Sequence, residues 1–125
     1  MALYVLRTVA YKDPGISANR EPGAGIYRIT KNFPADERFA MVQQLRRAVL
    51  SVHLNLAEGC SRKSSTERKR YFEIARGSVI EIDAAIGLAF KLQYCELKSI
   101  ENLGTLIVSC FKQLTAMIAS TNKVE

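Results

Sequence analysis

The sequence predicts an all-α protein, an up-down antiparallel helical bundle of three long helices preceded by a short or degenerate first helix. Two observations predict it. Apolar residues recur at alternating spacings of three and four through residues 34–120, the period at which one side of a helix meets a core. The segments carrying that period are joined by loops of about five residues, for which antiparallel neighbours are the natural packing. A chain of 125 residues, 48% hydrophobic and 24% charged, has the size and composition of one globular domain rather than of a disordered chain.

The elements follow in order. Residues 1–25 read as irregular, because Pro14, Gly15, Pro22, Gly23 and Gly25 break any long helix between Asp13 and Gly25. A short helical turn is expected from near Ala24 through Ile26, Tyr27 and Ile29 to Lys31 or Asn32. The bundle then occupies 26–120, with 121–125 as a frayed tail. Pro34 and Asp36 suit the start of the first long helix, whose stripe is Phe39, Val42, Leu45, Val49, Val52 and Leu56, widened by Leu50 and Leu54. It should end near Glu58, with Gly59 as a left-handed residue beyond the cap.

Ser64 and Glu67 form a capping box, so the second long helix starts near Ser65 and runs to about Tyr94. Tyr71, Ile74, Ser78, Ile82, Ala85, Ala89 and Leu92 make one stripe, and Phe72, Val79, Ile86 and Phe90 a second. The third long helix begins around Ser99, with Leu103, Ile107, Cys110, Leu114 and Met117 beside Val108, Phe111 and Ile118, and frays after Ser120. Paired stripes on two helices exceed what a small bundle buries, which points to a homo-oligomer.

Charge directs the functional reading. The chain carries +6 with a pI near 9.4, and Arg62, Lys63, Arg68, Lys69 and Arg70 crowd nine positions. A solvated helix start explains such a run as well as a polyanion site does. With Arg46, Arg47 and Arg76 these residues are the candidate nucleic-acid contacts, Arg47 and Arg76 being expected level with one another along the hairpin. Phosphates rather than base edges would be engaged.

Other chemistries are poorly served. Cys60, Cys95 and Cys110 lack CxxC spacing and nearby histidines, which argues against a zinc site or a disulfide framework and for reduced thiols in the cytoplasm. His53, the only histidine, has no acidic residue three or four away and reads as packed rather than catalytic. No nucleotide-binding or hydrolase motif occurs, so no enzyme and no cofactor is expected. Met1–Leu6 is interrupted by Arg7 and makes a poor signal peptide. No run approaches the roughly 18 apolar residues of a membrane span.

Several residues read as structural. Glu58 lies at the unfavourable end of a helix dipole and needs a cation, with Arg62 or Lys63 nearest. Asn55 in mid-helix should bond to neighbouring backbone or to a facing helix. Gly77 costs about 1 kcal/mol inside a helix, for which close helix packing compensates. Ser78 should bond to the carbonyl four residues back, and Glu81 should face solvent or meet an arginine of the preceding helix.

Three strings carry a family resemblance. They are Ile26-Tyr27-Arg28-Ile29-Thr30-Lys31-Asn32-Phe33-Pro34, then Gln44-Leu45-Arg46-Arg47-Ala48 with Asn55-Leu56-Ala57-Glu58-Gly59 and Arg62, then Ile74-Ala75-Arg76-Gly77-Ser78 with Glu81. In this order and spacing the chain resembles the four-helix-bundle family of 23S rRNA intervening-sequence proteins. The resemblance implies a four-helix bundle, homo-oligomers that are pentameric in related proteins, and no established enzymatic activity. It also implies kinship with the accessory variability proteins of diversity-generating retroelements, which bind nucleic acid and a protein partner. Two departures stand out: the Gly- and Pro-rich stretch and absent tryptophan where members carry a full first helix, and His53-Leu54 where they often carry Pro-Ser. RNA or DNA binding is the favoured function, and a structural adaptor that grips a protein through apolar helix faces is the alternative.

Overall fold

A computed structural model describes residues 22–122. It contains helices α1 (Pro22–Thr30), α2 (Met41–Ser61), α3 (Ser65–Lys91) and α4 (Leu97–Thr121), a 3-10 turn at Ala35–Glu37, and no strand among the described residues. α1 packs on α2 and α4, α2 on α3, and α3 on α4, so the helices occupy four corners around one core. Residue numbers run in opposite senses across the α2–α3 and α3–α4 seams. Gly59 faces Phe72 where Ser51 meets Ser78, and Lys69 meets Asn122 where Arg76 meets Thr115. The fold is therefore the up-down bundle the periodicity predicts.

α1 starts at Pro22, so residues 22–25, expected to be irregular, are helical; the rest of that expectation, residues 1–21, lies outside the described residues. A proline in the first turn gives up no needed hydrogen bond. Gly25 sits against α4: a Cβ there would stand 2.6 Å from Leu103 Cδ2, so a larger residue would have to turn that leucine aside. Below α1, the rings of Phe33 and Tyr94 meet at 5.4 Å and close the end of the bundle.

The first long helix does not run from Pro34. The 3-10 turn is followed by Ala40 at φ −120°, ψ −100°, and α2 begins at Met41. With Phe33 buried, residues 34–40 must cross the bundle end as a turn. Phe39 lies on that crossing and is 81% exposed, so it leaves the predicted stripe, as do the exposed Leu50 and Leu54. Val42, Leu45, Ala48, Val49 and Val52 form the buried side.

Gly59 is not a left-handed cap. α2 continues to Ser61 and stops at Arg62, whose extended backbone turns the chain. The glycine is needed for contact instead, because a Cβ would lie 2.5 Å from Phe72 Cε1. α3 opens as predicted, with Ser64 Oγ accepting from the Glu67 amide at 3.4 Å. It ends three residues before the expected Tyr94. Gln93 takes φ 64°, and the Tyr94 and Gln93 amides donate to Ala89 and Phe90 carbonyls at 2.9 and 3.0 Å, the paired bonds that close a helix through a left-handed residue.

The α3 core line is Phe72, Ala75, Val79, Ile82, Ile86 and Ala89, drawn from both predicted stripes. Much of the paired apolar surface is thus used within the bundle, while Ile74, Ile80 and Leu88 remain exposed. On α4, Leu103, Ile107, Leu114 and Ile118 are buried and Val108 and Phe111 are exposed. The helix holds to Thr121, itself buried, past the expected fraying. α4 is also long and apolar enough to cross a membrane by length and composition, which the search for unbroken apolar runs overlooked. Thr105, Ser109, Lys112 and Thr115 line its exposed side.

Candidate nucleic-acid interface

The eight candidate cations do not make one strip. Arg46 turns toward α1: its Nε donates to Thr30 Oγ1 at 3.2 Å and its guanidinium sits 4.9 Å from the Tyr27 ring centre. Thr30 is buried and donates in turn to the Ile26 carbonyl at 2.8 Å. A cation at the carbonyl end of α1 also suits its dipole. Arg76 turns the other way, donating from Nη1 to Thr115 Oγ1 at 3.3 Å and lying 5.8 Å from the Phe111 ring. The two arginines fasten α2 to α1 and α3 to α4.

Arg47 is exposed but is not level with Arg76. The Ser51–Ser78 contact places Arg47 opposite Ile82, roughly 9 Å down the axis from Arg76. The reason is the continuation of α2 past Gly59, which moves the centre of the hairpin toward Ser65.

The remaining five cations gather where α2 turns into α3. Arg62 pairs with Glu58 one turn back, the clamp that the dipole argument calls for, and donates to Tyr71 Oη at 3.3 Å. Its guanidinium lies 5.3 Å from the Tyr71 ring. The Glu58 hydrogen bond, and after it Tyr71, raise the Arg62 pKa further above its ordinary value. Lys69 reaches Asn122 Oδ1 at 3.5 Å, which brings the carbonyl end of α4 beside the start of α3. Lys63 and Arg70 are exposed, and Arg68 is half-buried. The Nε of Arg62 and of Arg68 are buried without an acceptor.

The motif residues line the α2–α3 seam. Asn55 Nδ2 donates to the Ser51 carbonyl at 2.8 Å and lies 3.1 Å from Ser51 Oγ. Ser51 Oγ bonds to Ser78 Oγ at 2.8 Å, so Ser78 bridges the helices rather than bonding back along its own. Gly77 departs from its expected role: among the described residues, and apart from its own helix backbone, nothing lies within 4 Å of a Cβ built there. Glu81 is exposed. Among the described residues no group of three His, Cys, Asp or Glu side chains could hold a metal ion.

A family model described as 23S rRNA-intervening sequence protein matches residues 20–116. The chain belongs to that family. No curated protein matches it. In this intervening-sequence protein the seam from Ser51 to Arg62 serves to register α2 on α3, and the turn above it concentrates positive charge. Sequence reading missed Tyr27, Thr30, Tyr71 and Thr115, the residues that draw arginines inward. They carry no local signal, since each partner except Tyr71 stands 16 or more positions from its arginine.

Proposed function

We propose that this intervening-sequence protein is a non-enzymatic, self-associating helical bundle that binds RNA or other nucleic acid through the α2–α3 tip. The observation that carries the reading is the crowding of Arg62, Lys63, Arg68, Lys69 and Arg70 at one end of the bundle, with Lys63 and Arg70 exposed. Glu58 and Glu67 offset part of this charge, so contact is with phosphates and shape, and affinity falls steeply with salt. The orphan Nε atoms of Arg62 and Arg68 add support, because an anion that draws either guanidinium outward supplies an acceptor the protein lacks. Arg46 and Arg76 are scaffold residues in this reading, and Arg47 is a peripheral contact.

The test is fluorescence anisotropy with structured RNA and with duplex DNA at several salt concentrations. Lys63→Ala with Arg70→Ala should weaken binding to all sequences alike and flatten the slope of log affinity against log salt by about 1.4–1.8 per chain engaged. Arg47→Ala should cost less. An unchanged slope in the double variant would leave the adaptor reading, which the exposed Leu50 and Leu54 on α2 favour.

A further inference from the structure

Arg62 is held differently from the cations around it. Its Nη2 donates to Glu58 Oε1 and, at 3.3 Å, to Tyr71 Oη, and its guanidinium stands over the Tyr71 ring, 5.3 Å from the ring centre. Side chains of two helices thus fix it through a charge-assisted hydrogen bond, a phenol and a cation–aromatic contact. Tyr71 is seated in turn against α2, where a Cβ on Gly59 would lie 3.2 Å from Tyr71 Cβ. Yet the Arg62 side chain is 39% exposed. A planar, delocalised group is therefore held in place at the surface of the bundle end.

While the clamp holds, Arg62 gives little as a phosphate contact. Glu58 already takes its charge, and that carboxylate, 46% exposed, repels a phosphate approaching the same nitrogen. The neutralised pair keeps what a phosphate does not need, a guanidinium plane on which a base can stack. Cations bracket the plane along the chain. Lys63 adjoins Arg62 in the turn, and Arg68 lies one turn before Tyr71 on the same side of α3. The Nε of Arg68 is buried without an acceptor, so Arg68 is left for a phosphate.

Building on the nucleic-acid binding proposed above, on which this rests, we infer that Arg62, clamped by Glu58 and Tyr71, is a stacking platform for an unpaired base. The ligand of the α2–α3 tip is then nucleic acid with unstacked nucleotides, a loop, bulge or single strand, rather than a continuous duplex. In a duplex each base is covered by its neighbours, whereas a loop can turn one out onto the guanidinium. The flanking phosphates fall to Lys63 and Arg68, the combination of stacking and positive charge by which single strands are held.

Fluorescence anisotropy with three labelled RNA probes of equal phosphate number tests this: a stem with an unpaired loop, the same stem with an abasic loop, and a blunt duplex. Wild type should bind the intact loop roughly fivefold or more tighter than the other two, the size expected of one stacked base. Arg62→Lys keeps the charge and deletes the plane, so the advantage of the intact loop should fall to within about twofold while the salt slope stays as in wild type. Lys63→Ala with Arg70→Ala should do the reverse, weakening all three probes and flattening the slope while the advantage persists. Far-UV circular dichroism checks that each variant keeps its helix content. The comparison of intact and abasic loops uses wild type alone, so it decides the matter even where a variant loosens the turn. Equal binding of the three probes by wild type would overturn the platform and leave the phosphate reading standing, and an advantage that survives Arg62→Lys would do the same. Absence of binding to every probe would overturn both.

Discussion

Replacing Gly59 by alanine sets two opposing effects against one another. Gly59 lies within α2 at a negative φ, so the backbone accepts alanine, and helix propensity alone favours it by about 1 kcal/mol. Against this, the new methyl would stand 2.5 and 2.8 Å from two carbons of the Phe72 ring and 3.2 Å from Tyr71 Cβ. That ring is 1% exposed and lies within the core. Overpacking of a close-packed core costs about 1–3 kcal/mol, to which the contact with Tyr71 at the base of the Arg62 clamp adds. A net destabilisation of roughly 1–2 kcal/mol follows, lowering the urea midpoint by about 1 M at the slope usual for a domain of this size. Gly104→Ala is the control, since among the described residues nothing but its own helix backbone lies within 4 Å of a Cβ built there, and only the propensity gain operates. The two variants should move the midpoint in opposite directions in urea titrations followed by circular dichroism. If Gly59→Ala stabilises as much as Gly104→Ala, the close approach of α2 to Phe72 is wrong, and so is the reason given for the glycine.

Three further outcomes are expected. Thr30→Val keeps the shape of a buried side chain but deletes the hydroxyl that accepts from Arg46, so chemical denaturation should register a loss of about 1–2 kcal/mol; no change would mean that Arg46 does not fasten α1. Phe39→Ser should leave stability within about 0.5 kcal/mol of wild type, because the ring faces solvent, and a loss typical of a core phenylalanine would contradict the break before α2. Burial raises the Cys95 pKa above the ordinary thiol value, which depletes its thiolate near neutrality. Its alkylation by iodoacetamide, read by mass spectrometry across a pH series, should therefore rise later than that of free cysteine, and an equal or earlier rise would refute the burial.

What the sequence determined by itself is local. The period of Val42, Leu45, Val49 and Val52 makes a helix wherever a core is available, and Ser64 with Glu67 caps α3 without reference to anything distant. Short loops then leave an antiparallel bundle as the natural packing. The strings around Asn55, Glu58 and Ser78 were legible as a family signature, and the need of Glu58 for a nearby cation, Arg62 or Lys63, followed from helix electrostatics, the structure choosing Arg62. The basic run from Arg62 to Arg70 was legible as charge but not as a surface. Tertiary structure decided the rest, because direction around a helix axis depends on partners far along the chain. Arg46 is drawn to Thr30 and Arg76 to Thr115, so two of the candidate cations are held against neighbouring helices. The register of α2 on α3 separates Arg47 from Arg76. Two glycines of the same type acquired opposite meanings, Gly59 pressed against Phe72 and Gly77 open to solvent, since a missing Cβ takes its meaning from what faces it.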